Sequence, residues 1–266
     1  MKRQTLHSIQ QLKDTKEPIA VLTAYDASFA KLVSEAGIEI ILVGDSLGMV
    51  MQGHQSTVPV SMENMQYHTQ CVANGNRSSL IVADLPYMSY ATEQESMSNA
   101  AKLMQAGANM VKLEGGEWLC PTVSLLTERG IPVCAHLGLT PQSVDALGGF
   151  KIQGRDEENA NQILRDALAI EKAGAKLLVL ECVPAILAEK ITRQLQIPTI
   201  GIGAGNKTDG QVLVLQDMLG MNNDFKPKFV RNFFAEPEVN SVQQALQGYL
   251  AAVKDRSFPA KEHCFE

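Results

Sequence analysis

The sequence predicts an α/β fold, a (β/α)8 TIM barrel in which eight parallel strands alternate with helices. Three observations predict it. Short β-rich runs recur eight times in 266 residues, segments of helical spacing separate many of them, and one strand-entry motif repeats at a regular interval.

Taken in order, the first run is IAVLTAYD at 19–26, followed by SFAKLVSEAG at 28–37, whose final glycine suits a helix C-cap. IEIILVGDS at 38–46 and SLIVADLP at 79–86 are the second and third runs. EQESMSNAAKLMQAG at 93–107 has helical spacing and leads into MVKLEGG at 110–116; IPVCAHLGL at 131–139 is the fifth run. The helical ENANQILRDALAIEKAG at 158–174 precedes LLVLECV at 177–183. PAILAEKITRQLQ at 184–196 precedes IPTIGIGAG at 197–205, and QVLVLQD at 211–217 is the eighth. Gly37, Gly107 and Gly174 stand at the same point of EAGIEIILVGD, QAGANMVKLEG and KAGAKLLVLEC, about two βα units apart each time. A seven-stranded open sheet is the alternative to the barrel. No low-complexity or Pro/Gly-rich linker divides the chain, so residues 1–266 read as one domain with short N-terminal and C-terminal extensions.

Composition bounds the function. With 29 acidic against 23 basic residues, net charge -6 and no basic run, the chain lacks the electrostatic footprint of a nucleic-acid or anionic-lipid binder. A small-molecule partner is expected. The five cysteines, Cys71, Cys120, Cys134, Cys182 and Cys264, form no CxxC pair and suggest neither a disulfide framework nor a zinc site. The N-terminus develops no signal-peptide core and no run is long enough to span a bilayer, so a cytoplasmic protein is expected.

Asp45, Asp84, Glu114 and Glu181 each close an otherwise apolar run: LVGD, IVAD, VKLE and LVLE. In a barrel that edge is the catalytic face. Any one of them reads equally well as a helix cap or a water-facing acid. Four converging from separate strands suit a hard divalent cation, since Mg2+ takes one or two carboxylates, several waters and the substrate. Lys112 and Glu114 are two apart on one strand and point the same way, with Val111 and Leu113 opposed. A lysine there needs a carboxylate or an anionic substrate beside it, and a structural Lys-Glu pair is the plainer alternative. His136, in CAHLGL, reads either as a core histidine or as a site residue. The glycines of GIGAGNKTDG lack the context of a dinucleotide loop and fit a tight turn over the site. Met49, Met51, Met62 and Met65 read as packing or as part of a flap, and His54 as flap or surface.

These segments together resemble the ketopantoate hydroxymethyltransferase family. The resemblance runs almost end to end, through VLTAYD, VGDSLGMVMQGH, ADLPYMSY, VKLEGG, AHLGLTPQS, GFKIQGR, LECVP, IGIGAG, KFVRNF and SFPAKEH. Gln55, where the family pattern has an acid, and the final CFE depart from it. The resemblance implies that Asp45, Asp84 and Glu114 hold Mg2+, directly or through water. It also implies that Asp45, Ser46, Asp84, Lys112 and His136 border the ketoacid and that Glu181 is the catalytic base. The implied reaction moves a hydroxymethyl group from 5,10-methylenetetrahydrofolate to 3-methyl-2-oxobutanoate through a Mg-stabilised enolate, giving 2-dehydropantoate. A cytoplasmic homo-oligomer, decameric by resemblance, goes with it. The rival is a Mg-dependent carbon-carbon lyase or mutase of the phosphoenolpyruvate type, which needs no folate.

Overall fold

Alternate residues of each strand sort into two apolar layers, and that sorting closes the sheet. The strands are β1 (Ile19–Thr23), β2 (Ile40–Val43), β3 (Leu80–Asp84), β4 (Met110–Glu114), β5 (Val133–Gly138), β6 (Leu177–Glu181), β7 (Thr199–Ile202) and β8 (Gly210–Leu213). They pair in parallel in sequence order, and β8 returns to β1, making a closed eight-stranded barrel. Ile19, Val21, Ile40, Val82, Met110, Cys134, Val179 and Ile200 fill the interior. Ala20, Leu22, Ile41, Ala83, Val111, Leu113 and Leu178 belong to the outer layer under the helices. Burial on both faces is why these strands read as apolar runs in the sequence. The structure, a computed structural model, describes residues 2–222 and 226–266.

The four helically spaced segments form the helices Ala27–Ala36, Glu93–Gln105, Glu157–Lys172 and Ala185–Gln194. The first is capped by Asp26, whose carboxylate accepts from the Ser28 and Phe29 amides, and it ends at Gly37 with φ +98°. Among the described residues, four further helices of at least nine residues carry no comparable signal in the sequence: Leu6–Asp14, Met62–Gly75, Cys120–Glu128 and Val242–Lys254. Leu6–Asp14 plugs the end of the barrel where the strands begin, with Ile9 in the inner layer. Met62 and Met65 lie one turn apart on their helix. Met65 is fully buried and Met62 packs beside it, so these two are core and not flap.

Strict alternation fails once. No helix joins β7 to β8; residues 203–209 make a tight turn with Gly203 at φ +61° and Gly205 at φ +78°. The turn is held by Asp209, whose carboxylate accepts from the Thr199 amide, and by Gln211, whose Nε2 donates to the Gly205 carbonyl. Helix Val242–Lys254 then packs on β1 and on Ala27–Ala36. From it, the buried Tyr249 hydroxyl bridges the carbonyls of Val21 on β1 and Gln211 on β8, 2.9 Å from each. That contact clips the seam where the barrel closes.

Candidate active site

Parallel register places the charged strand ends side by side. Asp84 on β3 is level with Lys112 on β4, and Glu114 is level with His136 on β5. Glu181 on β6 is level with Gly138. Because residues two apart share a face, Lys112 and Glu114 both point into the mouth while Val111 and Leu113 join the outer layer.

A continuous polar chain results. Lys112 Nζ lies 2.9 Å from Asp84 Oδ2 and 3.7 Å from Glu114 Oε1. His136 Nδ1 lies 3.1 Å from the same Glu114 oxygen, and its Nε2 approaches Glu181 Oε2 at 3.3 Å without the alignment of a hydrogen bond. Asp45, just past β2, donates its backbone N–H to Asp84 Oδ2 at 3.1 Å. Ser46 Oγ stands 2.9 Å from the Tyr25 hydroxyl. At Gly138, with φ +93°, a Cβ would run into the Glu181 carbonyl, so the absence of a side chain there lets β5 pass close to the base candidate.

The electrostatics follow from burial. Lys112 is only 3% exposed. Burial opposes its charge, but Asp84, Glu114 and Asp45 outweigh that and hold the ammonium well above its ordinary range. Burial likewise depresses His136, and Glu114 overcomes it, pushing the imidazole up to about 9. Glu114 is the counterpart: burial would raise it, and the charge and hydrogen bond of His136 bring it below the usual carboxylate value. Asp45 moves the other way, raised well above the carboxylate range by burial and then by Asp84 and Glu114.

One residue that charge patterning passes over organises this cluster. Gln142, buried in a 3-10 turn after β5, donates Nε2 to Asp45 Oδ2 at 2.8 Å and to the Leu85 carbonyl at 2.9 Å. Its backbone N–H donates to Glu114 Oε2 at 3.0 Å, and its Oε1 accepts from the Tyr90 hydroxyl at 2.6 Å. Gln142, Tyr90 and Tyr25 all lie inside segments quoted above, but nothing in residue type marked them.

Would the cluster fit a cation? Among the described residues no three carboxylate, imidazole or thiol groups converge into a ready cage. Mg2+ does not require one, because waters and substrate complete its shell. Asp84 Oδ1 is buried and has no hydrogen-bond partner among the described residues, and Asp45 is crowded by like charge. Both features fit a divalent ion. Glu114 is different: its two oxygens already meet His136, Lys112 and Gln142, so it suits a water-mediated contact.

The cluster forms the floor of a cavity of about 880 Å3 that opens at the C-terminal ends of the strands. Asp45, Ser46, Asp84, Lys112, Glu114, His136 and Glu181 all line it, with Met49 from the short helix Leu47–Val50. His54 is exposed. Among the described residues no helix is long and apolar enough to cross a membrane.

A (β/α)8 barrel with an acid-lysine-histidine cluster at this end is the architecture of a barrel enzyme acting on small molecules. The chain belongs to the ketopantoate hydroxymethyltransferase family, whose sequence profile matches residues 3–261. It is 58% identical over 265 residues to a 3-methyl-2-oxobutanoate hydroxymethyltransferase of Photorhabdus laumondii, covering 100% of both chains. It is 56% identical over 262 residues to the protein of that name in Marinobacter nauticus, covering 98% of each. Among solved structures it is similar to phosphonopyruvate hydrolase in complex with oxalate and Mg2+, with TM-score 0.61, 15% identity and coverage of 95% and 99%. A putative phosphonomutase from Burkholderia cenocepacia gives TM-score 0.65 at 15% identity, covering 81% of this chain and 95% of that one. Likeness at these identities shows the shared barrel.

Proposed function

We propose that this chain transfers a hydroxymethyl group from 5,10-methylenetetrahydrofolate to 3-methyl-2-oxobutanoate, giving 2-dehydropantoate on the route to pantothenate and coenzyme A. The observation that carries the proposal is the division of the cavity floor. A packed cluster with a free buried Asp84 oxygen lies across β2 to β4, and a separate carboxylate, Glu181, stands on β6 with its side chain 15% exposed. Asp45 and Asp84 would hold Mg2+, with Glu114 behind a water. When bound, the ion supplies Lewis acidity that polarises a ketone and acidifies the neighbouring C–H.

The residues of the chain do the rest. Lys112, held charged, gives the ketoacid and the developing enolate oxygen a fixed positive partner. Glu181 accepts the methine proton. His136, charged through Glu114 and 3.3 Å from Glu181, holds that carboxylate in place. Gln142 fixes the rotamers of Asp45 and Glu114. The enolate carbon forms the new bond to the folate methylene carbon, whose two bonds to nitrogen break. Water supplies the hydroxyl, and its remaining proton and the one taken by Glu181 end on the two folate nitrogens. One domain, residues 1–266, carries the activity in this reading, as a homo-oligomer in the cytoplasm.

The test is proton NMR of 3-methyl-2-oxobutanoate in deuterium oxide with protein, Mg2+ and tetrahydrofolate, repeated with a chelator. Loss of the methine signal that the chelator abolishes, and that Glu181→Gln lacks while still binding the ketoacid, is the expected result. Exchange no faster than in buffer would sink the proposal, and near-normal turnover by Glu181→Gln would remove that residue from the base role.

A further inference from the structure

One buried hydroxyl beside the site has no part in the proposed proton transfer. Tyr25 stands two residues beyond β1, is 1% exposed and is not among the residues that line the cavity. A phenol sealed in the core has to find a partner for its O–H. Here the partner is Ser46, whose Oγ lies 2.9 Å away and which does line the cavity, next to Asp45. The backbone of Tyr25 is fixed as well: His68 Nδ1 donates to its carbonyl at 2.7 Å, and the following residue, Asp26, caps helix Ala27–Ala36. The ring is therefore a rigid support, and Ser46 supplies the hydroxyl that faces the ligand space.

Ser46 opens the short helix Leu47–Val50, where a serine commonly accepts from a backbone amide of the first turn, but among the described residues its side chain makes no capping bond. The hydroxyl is turned instead toward Tyr25, close to Gly44, where a Cβ would come within 2.7 Å of it. Thr23 completes the chain: its Oγ1 accepts from the Leu215 amide at 3.0 Å, and its hydroxyl faces the same phenol oxygen. Each hydroxyl has one hydrogen to give. When Thr23 gives its hydrogen to Tyr25, Tyr25 gives its own to Ser46, and Ser46 keeps its hydrogen for the cavity. The reverse order would present Ser46 lone pairs to the cavity, an acceptor beside the carboxylates of Asp45 and Asp84. A ligand carboxylate selects the first order. Burial raises Tyr25 well beyond the ordinary phenol range, so the hydrogen stays on the phenol.

We infer that Tyr25 is a positioning residue: its phenol donates to Ser46 Oγ and thereby aims the Ser46 O–H into the cavity, as a donor to the carboxylate of a small 2-oxo acid bound beside Asp45 and Asp84. The inference rests on the proposed transferase reading, in which Ser46 borders the ketoacid, and adds a residue that touches neither ligand nor metal. What Tyr25 contributes is direction. An unsupported serine hydroxyl turns among its staggered wells, and a donor that is already aimed loses less freedom on binding. A hydroxyl whose oxygen is itself accepting is also a stronger donor, because hydrogen bonds in a chain polarise one another. Lys112 supplies charge from β4. Tyr25 supplies aim from the end of β1.

The experiment is calorimetric titration of 3-methyl-2-oxobutanoate into the whole protein in saturating Mg2+, for the wild type, Tyr25→Phe, Ser46→Ala and the double variant Tyr25→Phe/Ser46→Ala, with a titration of Mg2+ alone into each. Ser46→Ala is expected to weaken ketoacid binding about ten-fold or more, the worth of a hydrogen bond to a charged group, and Tyr25→Phe about five-fold, the worth of a neutral one. The double variant is expected to bind within about two-fold of Ser46→Ala, because residues that act as one unit do not add. Mg2+ affinity is expected to stay at the wild-type value in all three variants. A purely structural Tyr25 would instead give a loss that adds to that of Ser46→Ala or that falls equally on Mg2+, and either result would overturn the inference. Wild-type ketoacid affinity in Tyr25→Phe would overturn it too. Tyr25→Phe keeps the buried ring. Should it still fail to fold, Ser46→Ala decides alone: a loss of about ten-fold with Mg2+ binding intact upholds the aimed donor, and wild-type affinity overturns it. A wild type that binds Mg2+ but no ketoacid would instead overturn the functional reading beneath it.

Discussion

Replacing Lys112 with methionine keeps most of the side-chain volume and removes the charge. In the native site the ammonium lies 2.9 Å from Asp84 Oδ2 and 3.7 Å from Glu114 Oε1, with all three side chains almost wholly buried. Removing one partner of a buried ion pair costs about 3–5 kcal/mol, because the remaining charge is left uncompensated. Here Asp45, raised by burial and by Asp84 and Glu114 and losing the Lys112 charge that opposes the rise, can take up a proton, each unit of carboxyl shift being worth about 1.4 kcal/mol, so the loss at pH 7 should sit near the lower end, about 3 kcal/mol. Three measurements check this. In chelator at pH 7, urea unfolding of Lys112→Met should show a clearly lower midpoint than wild type. Its deficit should shrink toward pH 5, since acids whose folded pKa is raised lose stability as pH rises. Added Mg2+ should recover part of the deficit, because the ion supplies the missing positive charge beside Asp84. A midpoint equal to wild type in chelator at pH 7 would refute the reasoning, since it would mean that Lys112 does not compensate these carboxylates.

Three further outcomes follow from the geometry. Gln142→Ala strips Asp45 of its side-chain donor and leaves the Tyr90 hydroxyl without its acceptor; about 2–4 kcal/mol of stability and a weaker calorimetric affinity for Mg2+ should be lost, with Gln142→Glu failing to restore the Asp45 bond. His136, pushed up to about 9 against an unfolded value of about 6.5, contributes stability that is complete below the unfolded value and is lost as pH rises through about 9. In metal-free buffer, wild-type stability should fall by a few kcal/mol over that window, and a His136→Asn protein measured by urea titration should show a flatter profile there. Tyr249→Phe removes the hydroxyl that bridges Val21 and Gln211; it should cost about 1–2 kcal/mol and speed amide exchange at the β8–β1 seam relative to the opposite side of the barrel.

Every one of the eight strands was legible in the sequence because a parallel strand covered on both faces has to be apolar along its length. Period-two geometry also made the shared direction of Lys112 and Glu114 legible, and the acids at the run ends marked the edge of the barrel where the structure gathers them around one cavity. The helices were read less evenly. Ala27–Ala36 and Glu157–Lys172 carry caps and apolar stripes, whereas Met62–Gly75 buries only a few of its residues and keeps a largely polar surface, so its methionines read as either packing or flap. The turn that stands in place of a helix between β7 and β8 was legible in the glycines of GIGAGNKTDG.

What the sequence by itself determined was local: strand order, the inward direction of alternate residues and the residue types available at the barrel mouth. Their distances and charges were decided by tertiary structure alone. Gln142 reaches Asp45 across 97 positions of chain, and Tyr249 reaches Val21 across 228. His136 acquires its charge chiefly from a Glu114 that strand register places beside it. Periodicity constrains neighbours along one element, but barrel closure sets which distant side chains share the same buried space, and there the low dielectric turns proximity into protonation state and chemistry.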